Sequence, residues 1–111
     1  MTLIYLASPY TDRDPKVREQ RFQGACHKTA RMITEGYLVY SPIVSNHPLV
    51  AGWGLQPDYE FWKDLSDRMI SLCDEVHVYC MPGWIESKGI LEETALARRL
   101  EKPIIYHNVE T

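Results

Sequence analysis

Four short apolar segments, with helix-forming stretches between them, leave this chain few folds to adopt. Residues 2–7, 37–40, 75–80 and 103–107 are rich in β-branched and aromatic side chains, and each is the length of a single strand. Between them the spacing turns helical. From Pro15 to Glu35 the residues Phe22, Cys26, Thr29, Ala30 and Ile33 recur on one predicted helix face, and Gly36 is placed to end that helix in a left-handed turn. Pro57–Leu72 predicts a second helix with Trp62, Leu65, Met69 and Leu72 inward, and Ser87–Glu101 a third. Residues 43–56, with Asn46-His47-Pro48 and Gly52-Trp53-Gly54, read as a loop, as does Met81–Glu86.

Strands alternating with helices through short connections imply a mostly parallel sheet with helices on both faces. The expected fold is therefore a single α/β domain over residues 1–111, Rossmann-like (flavodoxin-like), with four to five strands. Such sheets bind ligands beyond the carboxyl ends of their strands, where strand order reverses. Three stretches follow strands and merit a search: Ser8-Pro9-Tyr10, Ser41 to His47, and Met81 to Gly89.

Composition narrows the partners. The chain has 111 residues, 45% of them apolar, which is enough for one core. Its net charge is −3, and Lys and Arg do not cluster, so no footprint for a nucleic-acid polymer is visible. No run approaches the ~20 apolar residues of a membrane span, and no basic leader precedes Met1–Leu6. Cys26, Cys73 and Cys80 are odd in number and lie in apolar surroundings, which fits thiols in a reducing cytoplasm. Histidines and cysteines lack paired ligand spacings, and Gly-x-Gly-x-x-Gly and P-loop patterns are missing, so neither a metal nor another cofactor is expected. A small molecule is the better partner.

The segment Gly83 to Glu93 carries the chemistry. Ser87 is a good helix N-cap, whereas Gly89 in the first turn costs ~1 kcal/mol against alanine. Side chains lean toward the helix N-terminus, so Glu93 lies over Gly89, and the missing side chain there leaves a hollow below the carboxylate. Ile90, Glu93, Ala97 and Leu100 share one stripe, while Glu92 shares a face with Lys88 and Arg99. An inward acid is costly unless partnered, which marks Glu93 as a functional candidate. A wet boundary position is the plainer reading, and periodicity alone does not choose between them.

The pattern Ser87-x-Gly89-x-x-x-Glu93 resembles the signature of the nucleoside 2-deoxyribosyltransferase superfamily. Further likeness comes from the opening Tyr5-Leu6-Ala7-Ser8-Pro9-Tyr10, the segment Cys73–Val78, Pro82-Gly83-Trp84 and Leu100–Ile104. Within that superfamily the chain is most similar to a branch of small bacterial and phage proteins that also carry an element like Ser45-Asn46-His47-Pro48. The resemblance implies that Glu93 attacks the anomeric carbon of a 2-deoxyribonucleoside or its 5′-phosphate. The base leaves, and a second base or water then takes the sugar. It also implies a homo-oligomer. Family members usually place an aspartate eight residues before the acid that opens strand three. Here that position, counted from Asp74, is Ser66, with Asp64 and Asp67 as the nearest substitutes.

Other candidates have two readings each. Ser8 could meet the sugar or phosphate, or simply make a turn, and the adjoining Pro9 shares that segment. Tyr10 could stack on a base or pack in the core. Ser87 with the amides behind it forms a natural anion site as well as a cap. His47 could face substrate or be structural, and Trp84 could wall a pocket or cover the core. Two other functions stay open: a nucleotide-binding module without chemistry, and a hydrolase of NAD or a related nucleotide.

Overall fold

The computed structural model describes residues 1–109. Its elements run β1 (Leu3–Ala7), α1 (Pro15–Thr34), β2 (Leu38–Tyr40), α2 (Pro42–Trp53), α3 (Tyr59–Leu72), β3 (Glu75–Cys80), α4 (Lys88–Arg99) and β4 (Ile104–Asn108). The four strands form one sheet in the order β2-β1-β3-β4, and every pairing is parallel. The fold is the expected Rossmann-like α/β domain. From β1 the chain steps outward to β2, then returns past β1 to β3 and β4. Strand order thus reverses between β1 and β3, and a crevice opens beyond their carboxyl ends.

Register explains the two cores. Tyr5 lies opposite Val76, and Ala7 opposite Val78. These four share one face and pack with Ile70 of α3 and Ile90 and Ala97 of α4. Ile4, Leu6 and Tyr79 point to the other face and meet Met32 of α1 and Met81. Helices therefore cover both faces, as alternation along buried parallel strands requires.

Helix ends follow local chemistry. Asp14 caps α1 by accepting from the Lys16 amide, with Pro15 in the first turn. The chain leaves α1 through Gly36 at φ 99°, a left-handed turn. Among the described residues no helix is long and apolar enough to cross a membrane.

Three expectations are corrected. Residues 42–53 are helical rather than a loop: Ser41 accepts from the Val44 amide as an N-cap, Pro42 opens the helix, and Gly54 closes it in a left-handed conformation. Pro48 forgoes one backbone bond inside this helix, and the helix instead buries Asn46, His47 and Val50. The inward face of α1 is Ala25, Thr29 and Met32, whereas Ala30 and Ile33 are exposed. On α3 the buried residues are Ser66 and Ile70, with Leu65 and Leu72 exposed. Both inward faces mix small and large side chains, Ala25 and Thr29 with Met32 on α1 and Ser66 with Ile70 on α3.

Candidate active site

A cavity of about 530 Å³ opens in the crevice beyond β1 and β3. Ser8 and Tyr10 border it from the end of β1, Asn46 and His47 from α2, Tyr59 and Ser66 from α3, and Ser87, Gly89 and Glu93 from α4. Six sequence candidates therefore converge: Ser8, Tyr10, His47, Ser87, Gly89 and Glu93.

Glu93 is the buried acid of this cavity, with 6% of its surface exposed. The Tyr5 hydroxyl, from the fully buried centre of β1, donates to its Oε2. Burial pushes the Glu93 carboxyl up to about 7; the Tyr5 hydrogen bond opposes this, and the charge of Asp67 adds to it. Tyr5 is itself held protonated well above the usual phenol range, first by burial and then by the Glu93 charge. It remains a donor to the carboxylate at any ordinary pH. Glu92, by contrast, is only partly buried, and Lys88 pairs with Glu60 of α3 rather than with Glu92.

Gly89 makes the hollow. A Cβ at this position would lie 3.7 Å from Glu93 Oε1, 3.7 Å from Ser87 Oγ and 3.5 Å from Tyr59 Cδ2. These are ordinary contacts, so a methyl group fits, and it would stand in the space between the carboxylate and the helix start. Gly89→Ala should therefore keep or raise stability, by up to ~1 kcal/mol from helix propensity, while lowering turnover. Parallel urea unfolding and rate measurements check this; full activity would show that substrate does not use the hollow.

Polar groups around the hollow await partners. Ser87 Oγ accepts from the Ile90 amide and caps α4, whose first amides have no preceding turn to bond. Ser8 Oγ and the Tyr59 hydroxyl are buried and make no hydrogen bond among the described residues. Burial, followed by the nearby Glu93 charge, raises Tyr59 above the ordinary phenol value. Buried polar atoms are normally satisfied, and ordered water or a ligand atom would satisfy these two.

Four candidates lie elsewhere. Pro9 is fully buried behind the cavity wall. Trp84 packs against the core and the Tyr106 ring, with centroids 5.7 Å apart. Asp64 is exposed, and Asp67 binds Lys63 at 2.6 Å; Ser66, between them, is the residue that reaches the cavity. Neither aspartate borders the cavity, although the charge of Asp67 still acts on Glu93.

Sequence reading missed Tyr5, Arg21, Asn46 and Tyr59. Arg21 of α1 borders the cavity and donates to the carbonyls of Tyr10 and Thr11, at 3.3 and 3.0 Å. Gly83, at φ 96°, adopts a backbone conformation that favours glycine, and the Arg21 guanidinium would have to shift to admit a side chain there. Helix start signals at Ser41-Pro42 could have revealed α2 and with it Asn46; no local signal announces Tyr5.

No curated protein matches this chain. A family model described as "Domain of unknown function (DUF1937)" matches residues 2–109, and the chain belongs to that family.

Proposed function

We propose that the protein cleaves the N-glycosidic bond of a 2-deoxyribonucleoside or its 5′-monophosphate, as a transferase or hydrolase of the nucleoside 2-deoxyribosyltransferase type. One observation carries the reading: the buried Glu93 carboxylate, oriented by Tyr5, faces the hollow that Gly89 leaves at the start of α4. An oxygen of Glu93 bonds to the anomeric carbon while the carbon–nitrogen bond breaks, its electron pair leaving with the base. Water or a second base then attacks the same carbon, gives up a proton, and releases the carboxylate. The Ser87 cap region and the unpartnered Ser8 hydroxyl offer donors to a 5′-hydroxyl or 5′-phosphate.

Product analysis tests this directly. A panel of 2-deoxynucleosides and their monophosphates is incubated with and without an acceptor base. Free base and sugar, or an exchanged nucleoside, are expected; intact substrates throughout would remove the proposal. Because attack is assigned to a carboxylate, turnover should persist in excess chelator, and abolition by chelator with rescue by added metal would contradict it.

A second reading draws on α3. Asp64 and Asp67 stand outside the cavity, and Ser66 occupies the place where a proton donor to the base is expected. A nucleotide-binding module without chemistry fits that arrangement. Nucleotide binding without turnover, unchanged by Glu93→Ala, would favour it.

A further inference from the structure

A base departing from a sugar must gain a proton or a hydrogen bond, and the acid that α3 brings to the cavity, Glu60, is exposed and held by Lys88. The opposite wall offers a buried donor. Tyr10, in the segment after β1, and His47 of α2 both border the cavity, and both are more than nine-tenths buried. The Tyr10 hydroxyl lies 2.6 Å from His47 Nδ1. On the far side of the ring, His47 Nε2 stands 3.6 Å from Glu19 Oε2 of α1. Phe22 of α1 stacks on the same ring, with centroids 4.4 Å apart and planes 29° from parallel.

Three features distinguish this row from ordinary packing. His47 Nε2 is buried and makes no hydrogen bond among the described residues, although a carboxylate faces it. The stacked Phe22 face suits a ring that carries positive charge. A second cavity of about 320 Å³, bordered by Arg18, Glu19 and His47, lies beyond the ring, so His47 forms a wall between two spaces. Arg18 and Glu19 are the charged groups acting on Tyr10 from α1, and Glu19 also accepts from Gln23 at 3.3 Å.

We propose that Tyr10 is the acid–base residue for the departing base, with His47 as its proton store and Glu19 as the counter-charge. This rests on the N-glycosidase reading above and adds the proton donor that reading lacks. In the working form His47 carries both ring protons: Nδ1–H donates to the Tyr10 oxygen, and Nε2–H faces Glu19. That leaves the Tyr10 proton free to point into the cavity. As the carbon–nitrogen bond breaks, its electron pair stays with the base, the Tyr10 proton moves to the base, and the Nδ1 proton moves to the Tyr10 oxygen. His47 is then neutral. In the second step, attacking water or acceptor base gives its proton to Tyr10, and Tyr10 returns one to Nδ1 as the Glu93 bond breaks. No proton is gained or lost from the enzyme over the cycle. Tyr10 is the catalytic residue here; His47 and Glu19 act through it.

Leaving-group dependence tests the assignment. Wild type, Tyr10→Phe, His47→Gln and Glu19→Gln are compared on 2-deoxynucleosides and on 4-nitrophenyl 2-deoxyriboside, whose phenolate departs without a proton. For the nucleoside, Tyr10→Phe and His47→Gln should lower kcat by about 10²-fold or more, with KM little changed. The first-turnover burst of nitrophenolate, which precedes the Tyr10-assisted second step, should change by less than about 3-fold. Equal losses on both substrates would assign a structural role and overturn the proposal, as would unchanged nucleoside turnover. If wild type processes neither substrate, the N-glycosidase reading falls and the relay falls with it. Ring ¹⁵N spectra of the wild-type protein need no variant to fold. At the pH of turnover both His47 nitrogens should be protonated, and a ring that stays neutral throughout overturns the relay.

Discussion

Glu93→Gln should reduce turnover by at least ~10³-fold, the scale on which loss of a principal catalytic group is felt, while substrate still binds. Glutamine keeps the volume and can still accept from Tyr5, but its amide oxygen does not form a stable bond to the anomeric carbon. Glu92→Gln is the matched control. Its side chain lies outside the cavity wall, so its change should fall within about twofold, the scale of a solvated charge. Ionisation of Glu93 should give the wild-type pH profile a rising limb through about 7, because the proposed nucleophile is the carboxylate, the form burial disfavours. A slow 2-fluoro sugar analogue, followed by mass spectrometry of peptides, should place the adduct on Glu93. An adduct on another residue, or full activity in Glu93→Gln, would refute the mechanism.

The same substitution should make the protein more stable in mild alkali. The Glu93 carboxyl sits at about 7 in the folded chain against an ordinary 4.5. The folded state therefore holds this proton more tightly than the unfolded chain. Its stabilisation is fully present below the ordinary glutamate value and is lost as pH rises through about 7. Glutamine has no proton to lose. Near pH ~8 the variant should exceed wild type by about 3 kcal/mol, and near pH ~4 that advantage should vanish. Urea unfolding at the two pH values measures it; parallel pH dependence in both proteins would show that Glu93 ionises freely. A residue whose removal stabilises the fold does not serve stability, and the proposed attack on the sugar would give it another role.

What the sequence disclosed follows from the range over which its signals act. The four strands and α4 are written locally, in runs of β-branched residues and in the Ser87 cap with its Gly89, so they could be read. Helix α2 was hidden because Pro48 and Gly52 lie within it, and both weigh against a helix until its N-cap Ser41 and C-cap Gly54 are recognised. On α1 the expected Thr29 is buried, but the rest of the inward face is Ala25 and Met32 rather than Ala30 and Ile33; on α3 the bulky Leu65 and Leu72 suggest a face that the structure turns outward. Ala25 and Ser66 are buried, and Ile33, Leu65 and Leu72 are left at the surface. Glu93 was legible because its stripe-mates Ile90 and Ala97 do turn inward with it, although Leu100, at the end of the stripe, is exposed. Tyr5 was not legible, since its bond to Glu93 joins residues 88 apart in the chain.

That long reach governs how the molecule comes into being during synthesis. Strand β1 emerges first yet belongs at the centre of the sheet, between β2 and β3. Its Leu3 amide is satisfied by Asp74, and its Tyr5 hydroxyl by Glu93. On a ribosome the opening segment must wait for most of the chain before either partner exists. Until then Ile4, Tyr5 and Leu6, all fully buried in the finished fold, have no complete surroundings. From the emergence of β1 until α4 follows, the nascent chain thus carries an uncovered apolar strand, and the carboxylate that completes the cavity is among the late long-range contacts that cover it.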